Sequence, residues 1–244
     1  MKNILYNIAS KKGQIAILID PDKSNSEESL IPLVEKASFA GIDYFFVGGS
    51  TVSSKDFNRT IDILKKNTSI PVIIFPGGSH MVSDKADGLL FLSLISGRNP
   101  DFLIGHHVQA ANEVFDMDIE VIPTGYLLIE GGTNSSVAYV SQTSPIPSEN
   151  ESIIINTVKA GILTGKELIF MDAGSGAAKS VPETVVKKVA ELGKPIIVGG
   201  GINSSEQLEA YQNAGANIIV IGNKLEEEID FLLDINNYIK KNNG

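Results

Sequence analysis

The sequence predicts an α/β protein of the (β/α)₈, or TIM-barrel, class, and three observations carry that reading. Eight short apolar runs alternate with amphipathic stretches from end to end. The length, 244 residues, is close to the roughly 250 of one such barrel. The last two apolar runs each open into a glycine turn just ahead of a helical pattern, Gly199-Gly200-Gly201 and then Gly222-Asn223.

The predicted strands span residues 14–19, 44–47, 72–75, 88–94, 119–129, 168–171, 196–198 and 218–221. They are rich in Ile, Val, Leu and Phe and do not alternate with polar residues, as expected of parallel strands buried on both faces. Helical patterns fall at 27–40, 54–67, 100–114, 152–164, 182–192, 205–214 and 225–241. The first of these stops at Gly41, a C-cap signal. Between the third and fourth strands only residues 79–86 remain, too few for a full helix, so the third helix of the barrel is expected to be altered or missing. Residues 130–151 are rich in Gly, Ser, Thr, Asn and Pro and read as a long loop on the face where barrel active sites lie. No composition break marks a second domain, so residues 1–244 read as one barrel. An open doubly wound sheet is the structural alternative.

Composition excludes several classes of function. There is no cysteine, so disulfides, thiolate catalysis and Cys-ligated zinc are ruled out. The net charge of −9 argues against broad nucleic-acid binding, which needs a basic face. It does not exclude an anionic substrate held locally by amides, helix ends and a metal. No run approaches the roughly 18 apolar residues of a membrane span, and the start of the chain lacks a signal-peptide pattern. A cytoplasmic protein is expected.

Phosphate suits the two C-terminal glycine turns, because backbone amides at such strand-to-helix turns point outward beside a helix N-terminus. Asp20-Pro21-Asp22-Lys23 closes the first strand, and Pro21 fixes its own φ and biases Asp20 toward extended geometry. Two carboxylates there suit Mg²⁺ completed by waters and substrate phosphates; the alternative is a helix cap and a turn brace. The second strand ends in Gly48-Gly49-Ser50-Thr51, where a hydroxyl would add a ligand or cap the next helix. The sixth ends at Asp172, followed by Ala173-Gly174-Ser175-Gly176-Ala177. A carboxylate at that tip could orient or deprotonate a substrate hydroxyl, or accept bonds from its own loop. Arg98, after the fourth strand, has the fork geometry for a phosphate. His106 and His107 are adjacent on a helical pattern, about 100° apart, so they cannot share a metal. No Walker motif, GxSxG elbow or strand-six lysine is present.

Taken in order, these pieces, with Pro123-Thr124-Gly125-Tyr126, resemble the geranylgeranylglyceryl phosphate synthase, or PcrB-like, family over nearly the whole chain. The Gly49-Ser50-Thr51 and Ala173-to-Ala177 versions look like the second of its two groups, found in archaea and some bacteria. The resemblance implies a Mg²⁺-dependent prenyltransferase. It would transfer a geranylgeranyl group from its diphosphate to the sn-3 hydroxyl of sn-glycerol 1-phosphate. Carried over by motif, Asp20 and Ser50 would hold the metal and Asp172 would be the catalytic base. Phe170, Met171, Asp172, Ala173, Gly174, Ser175, Gly176, Gly200, Gly201, Gly222 and Asn223 would hold glycerol 1-phosphate. Arg98 and His107 would lie toward the prenyl diphosphate, and Tyr126 would line a dry groove with strands four and five. A homo-oligomer, dimer or hexamer, is expected by the same resemblance. The chain departs from the family in having Asp172 where Glu is usual, and in Leu18 where the first group has a basic residue. Because a fold does not fix a function, another phosphate-binding barrel enzyme, a phosphosugar isomerase or lyase, stays open, as does a non-catalytic phosphometabolite-binding barrel.

Overall fold

The computed structural model describes residues 3–243. Met1, Lys2 and Gly244, the ends of the span read as one domain, lie outside the described residues. Eight strands close into an all-parallel barrel in chain order. They are β1 (Gln14–Ile19), β2 (Tyr44–Val47), β3 (Val72–Ile74), β4 (Gly88–Leu94), β5 (Glu120–Leu128), β6 (Leu168–Asp172), β7 (Ile196–Gly199) and β8 (Ile218–Ile221). β1 pairs with β8, Gln14 opposite Ile218 and Ile17 opposite Ile221, so no edge is left open.

Alternate residues explain the unbroken apolar runs. Ala16, Phe46, Ile73, Leu90, Ile122, Phe170, Ile197 and Val220 fill the barrel interior. Their neighbours Ile15, Ile17, Phe45, Ile74, Leu89, Met171, Val198 and Ile219 pack outward against the helices. Most strand residues are therefore buried on both faces, the condition that selects β-branched residues over alternation.

The coat consists of α2 (Glu27–Ala40), α3 (Ser54–Asn67), α4 (His106–Phe115), α6 (Glu151–Leu163), α7 (Glu183–Ala190), α8 (Ser205–Ala214) and α10 (Phe231–Asn243). Ser26 and Ser204 close capping boxes on α2 and α8, Ser53 caps α3, and α2 ends at Gly41 as expected. Between β3 and β4 no helix forms among the described residues, matching the altered third unit.

Four elements differ from the sequence reading. A short N-terminal helix, α1 (Ile4–Ser10), plugs the N-terminal end of the barrel, with Ile4 and Ile8 in the interior cluster. The Glu120 carboxylate accepts its first amides, Ile4 N at 2.5 Å and Leu5 N at 2.9 Å. The fourth helical pattern begins as a π-helical turn, Asp101–Gly105, before α4. The last pattern is split into α9 (Asn223–Glu227) and α10. The long loop carries one small helix of its own, α5 (Ser136–Ser141).

Candidate active site

One cavity of about 420 Å³ opens at the C-terminal ends of the strands, within the usual size of small-molecule sites. It has a polar floor and an apolar arm. Asp20, Ser50, Asp172, Gly200 and Asn223 line the floor, and Leu89, Phe91, Phe102 and Ala110 line the arm. The arm runs out over β4 and under α4, on the side where the third helix is missing. Its residues come from β4, the turn that follows it and α4, and Tyr126 on β5 lines the cavity as well.

The tips of β6, β7 and β8 form a glycine-lined cup. Gly200 has φ +82°, and a Cβ there would stand 2.7 Å from Asp172 Oδ1 and 2.8 Å from the amides of Ala173 and Gly174. Only glycine lets these two turns approach so closely. Ser175 Oγ donates to Asn223 Oδ1 at 2.7 Å, tying the β6 turn to the β8 turn. Phe170, Asp172, Gly174, Ser175, Gly176, Gly200, Gly201, Gly222 and Asn223 all face the cavity. Met171 and Ala173 do not: strand alternation sends both into the packing between barrel and helices.

Asp172 sits between cup and arm. Its Oδ2 accepts the Tyr126 hydroxyl at 2.5 Å and its Oδ1 accepts Gly174 N at 2.9 Å. Burial raises its pKa above the ordinary carboxylate value, and the two hydrogen bonds oppose that rise. Burial, then the neighbouring Asp172 charge, pushes the Tyr126 phenol well up, so it remains a donor. Tyr126 thus braces the carboxylate as well as lining the cavity. Its ring packs on Phe75 at 5.8 Å and on Phe170 at 5.4 Å, making an aromatic wall beside Asp172.

Across the floor, the Asp20 carbonyl accepts the amides of Lys23 and Ser24, both at 3.0 Å, and its Oδ1 accepts Asp22 N at 3.1 Å. Asp22 is engaged by the Thr51 hydroxyl at 2.6 Å and does not cap α2, which Ser26 does. Burial raises the Asp20 pKa, and the charges of Asp22 and Glu226 add to the rise. A cation at this point would relieve crowding among carboxylates. Among the described residues no three His, Cys, Asp or Glu side chains gather as a metal cage. Asp20 with a hydroxyl from Ser50 is nonetheless the sparse oxygen donor set that Mg²⁺ accepts when substrate oxygens and water complete it.

The two residues assigned toward the diphosphate are not brought to the floor. Arg98 turns its guanidinium back onto the Gly97 carbonyl at 2.6 Å and stays exposed, off the cavity wall. His107 lines the apolar arm, its ring 4.2 Å from that of Phe91, and neither ring nitrogen has a hydrogen-bond partner. Burial, followed by the charge of Lys166, lowers its pKa, which favours the neutral ring. Sequence reasoning missed the turn Gly77-Gly78-Ser79 after β3, which also lines the cavity. A Cβ on Gly77 would lie 2.1 Å from the Gly49 carbonyl, so the β2 and β3 turns meet backbone to backbone. A glycine pair directly after a strand was the available signal.

A closed eight-stranded barrel with a polar-floored cavity at the C-terminal ends of the strands defines a protein of the (β/α)₈ class. The chain matches the PcrB family over residues 6–240 and belongs to that family. It is 44% identical to the geranylgeranylglyceryl phosphate synthase of Chitinophaga pinensis, over 96% of this chain and 95% of that one. It is 39% identical to the enzyme of the same name from Korarchaeum cryptofilum, over 93% of each chain. Among solved structures it is similar to (S)-3-O-geranylgeranylglyceryl phosphate synthase of Thermoplasma acidophilum, in complex with its substrate sn-glycerol-1-phosphate. The TM-score is 0.88 and the identity 34%, covering 98% of this chain and 96% of that one.

Proposed function

We propose that this enzyme, a prenyltransferase, joins geranylgeranyl diphosphate to the sn-3 hydroxyl of sn-glycerol 1-phosphate, releasing diphosphate and an ether-lipid precursor. The observation that carries the reading is the position of Asp172, a buried carboxylate between a glycine cup and an apolar arm. The cup would hold the phosphate of glycerol 1-phosphate through the amides after β6 and β7 and at Gly222 and Asn223. That leaves the glycerol hydroxyl facing Asp172, which orients it and accepts its proton as the ether bond forms. The carbon–oxygen bond to the diphosphate breaks in the same exchange, and its electron pair leaves with diphosphate. Phe75, Tyr126 and Phe170 keep water from the allylic carbon and offer it aromatic faces.

Asp20 and Ser50 are the residues that would hold Mg²⁺, which supplies charge neutralisation on the leaving diphosphate when bound. The shorter Asp172 suits the role because Tyr126 and Gly174 fix both of its oxygens. The prenyl chain would follow the arm past Leu89, Phe91 and Ala110.

The test is an endpoint assay with Mg²⁺, offering prenyl diphosphates of several lengths against glycerol 1-phosphate or glycerol 3-phosphate. Extractable product from glycerol 1-phosphate alone is expected. No product from any donor, with the protein folded, would overturn the reading.

A cytoplasmic location and a homo-oligomer belong to the same proposal. No helix among the described residues is long and apolar enough to cross a membrane. Ile104, Val108 and Phe115 stand exposed at helical spacing on the π-helical turn and α4, and Leu163 on α6, which supports a partner copy. Sedimentation at low concentration would return only monomer if that part is wrong.

A further inference from the structure

A prenyl diphosphate brings several negative charges to a floor that already holds Asp20 and Asp172, with Asp22, Glu226 and Glu227 nearby. With Arg98 turned away and His107 in the apolar arm, the basic side chains left on the cavity wall are His106, Lys23 and Lys224. His106 stacks edge-on against Phe102 at 4.8 Å, and its Nδ1 is buried without a partner. Lys224 is tied within its own turn to Glu228 at 2.6 Å. Lys23 is placed differently. The tight turn that brings its amide onto the Asp20 carbonyl sets it on the same rim as Asp20. Its Nζ then meets Glu226 on α9, after the neighbouring strand β8, at 2.7 Å. Among the described residues this is the only ion pair with both partners on the cavity wall.

Such a pair is a poor brace. The two side chains are 45% and 35% exposed, and exposed pairs contribute little to stability. It is well suited to exchange: a lysine is a mobile point charge on a long stem, a common phosphate binder. We propose that Lys23 is the side-chain cation that binds the diphosphate of the prenyl donor, and that Glu226 on the adjacent turn holds it at the rim until the donor arrives. A phosphate oxygen then replaces the Glu226 carboxylate on Nζ, and the released carboxylate faces solvent. This rests on the prenyltransferase reading. It assigns to Lys23 the part that sequence had given to Arg98.

The test compares wild type with Lys23→Met, Lys23→Arg and Glu226→Gln by steady-state kinetics, varying each substrate in turn. It adds calorimetric titration with inorganic diphosphate in Mg²⁺. Losing a charge-assisted bond should raise KM for the prenyl diphosphate about 10- to 100-fold in Lys23→Met. KM for glycerol 1-phosphate should stay within about twofold, since the cup does not include Lys23. Lys23→Arg should restore most of the loss, and Glu226→Gln should tighten donor and inorganic diphosphate alike. An unchanged donor KM and unchanged diphosphate affinity in Lys23→Met would overturn the proposal. So would a rise confined to glycerol 1-phosphate. If wild type transfers no prenyl group yet inorganic diphosphate binds in a Lys23-dependent way, the anion site stands and the reaction assigned to the barrel falls.

Discussion

Asp172 carries a conflict that a single side chain can hold only where function demands it. It is a carboxylate in a dry site, with its pKa raised by burial and pulled back by Tyr126 and Gly174. A folded-state value above the unfolded one means that ionised Asp172 costs stability at neutral pH. The cost disappears as pH falls through the folded value into the ordinary carboxylate range. Replacing Asp172 with Asn should therefore lower turnover by about 10²- to 10⁴-fold while leaving thermal stability near neutral pH equal or higher. A variant that melted well below wild type would show that the carboxylate is structural. Tyr126→Phe deletes a hydrogen bond to the charged form, so the acid limb of the kcat/KM profile should move to higher pH; an unmoved limb would separate Tyr126 from the base. At this scale the sequence was only partly legible. Asp172, Asp20 and Ser50 stood at strand ends, where the fold aims side chains into the mouth. Arg98 stood in a loop, and nothing in residue type tells a loop guanidinium to turn toward its own backbone instead of the cavity.

Elements were easier to read than residues because burial on both faces forces a continuous apolar run wherever a barrel strand must be. All eight strands fall where β-branched runs stand, and α2, α3 and α8 have the expected bounds. What escaped were elements too short to show a period. α1 is seven residues long, and Ile4 and Ile8 repeat only once. The π-helical turn ahead of α4 differs from an α-helix by one residue of slip, which apolar spacing over five residues cannot reveal. α1 nonetheless closes the barrel floor with Asn217, whose side chain donates to Ile8 O and Lys11 O at 2.9 Å each. Ile8→Ala would empty a fully buried site and should cost about 2–5 kcal/mol in urea unfolding. Because α1 lies at the opposite end from the cavity, KM for both substrates should hold; a large rise in either would mean that the plug reaches the active face.

For the whole molecule, the absent helix between β3 and β4 matters most. Seven sectors of the coat are covered by the protein's own chain, and the eighth leaves Leu89 and Phe91 facing a groove under α4. A bound prenyl tail would lie where that helix would have been. The lipid would then act as a removable piece of the fold, and catalysis would include an act of core formation. Binding thermodynamics should carry the signature of folding: a negative heat-capacity change that grows with the number of isoprene units and nearly vanishes for inorganic diphosphate. Titration calorimetry at several temperatures would measure it, and a heat-capacity change indifferent to tail length would place the tail outside the groove. The barrel would then be incomplete by construction, and each turnover would assemble and dismantle its last sector.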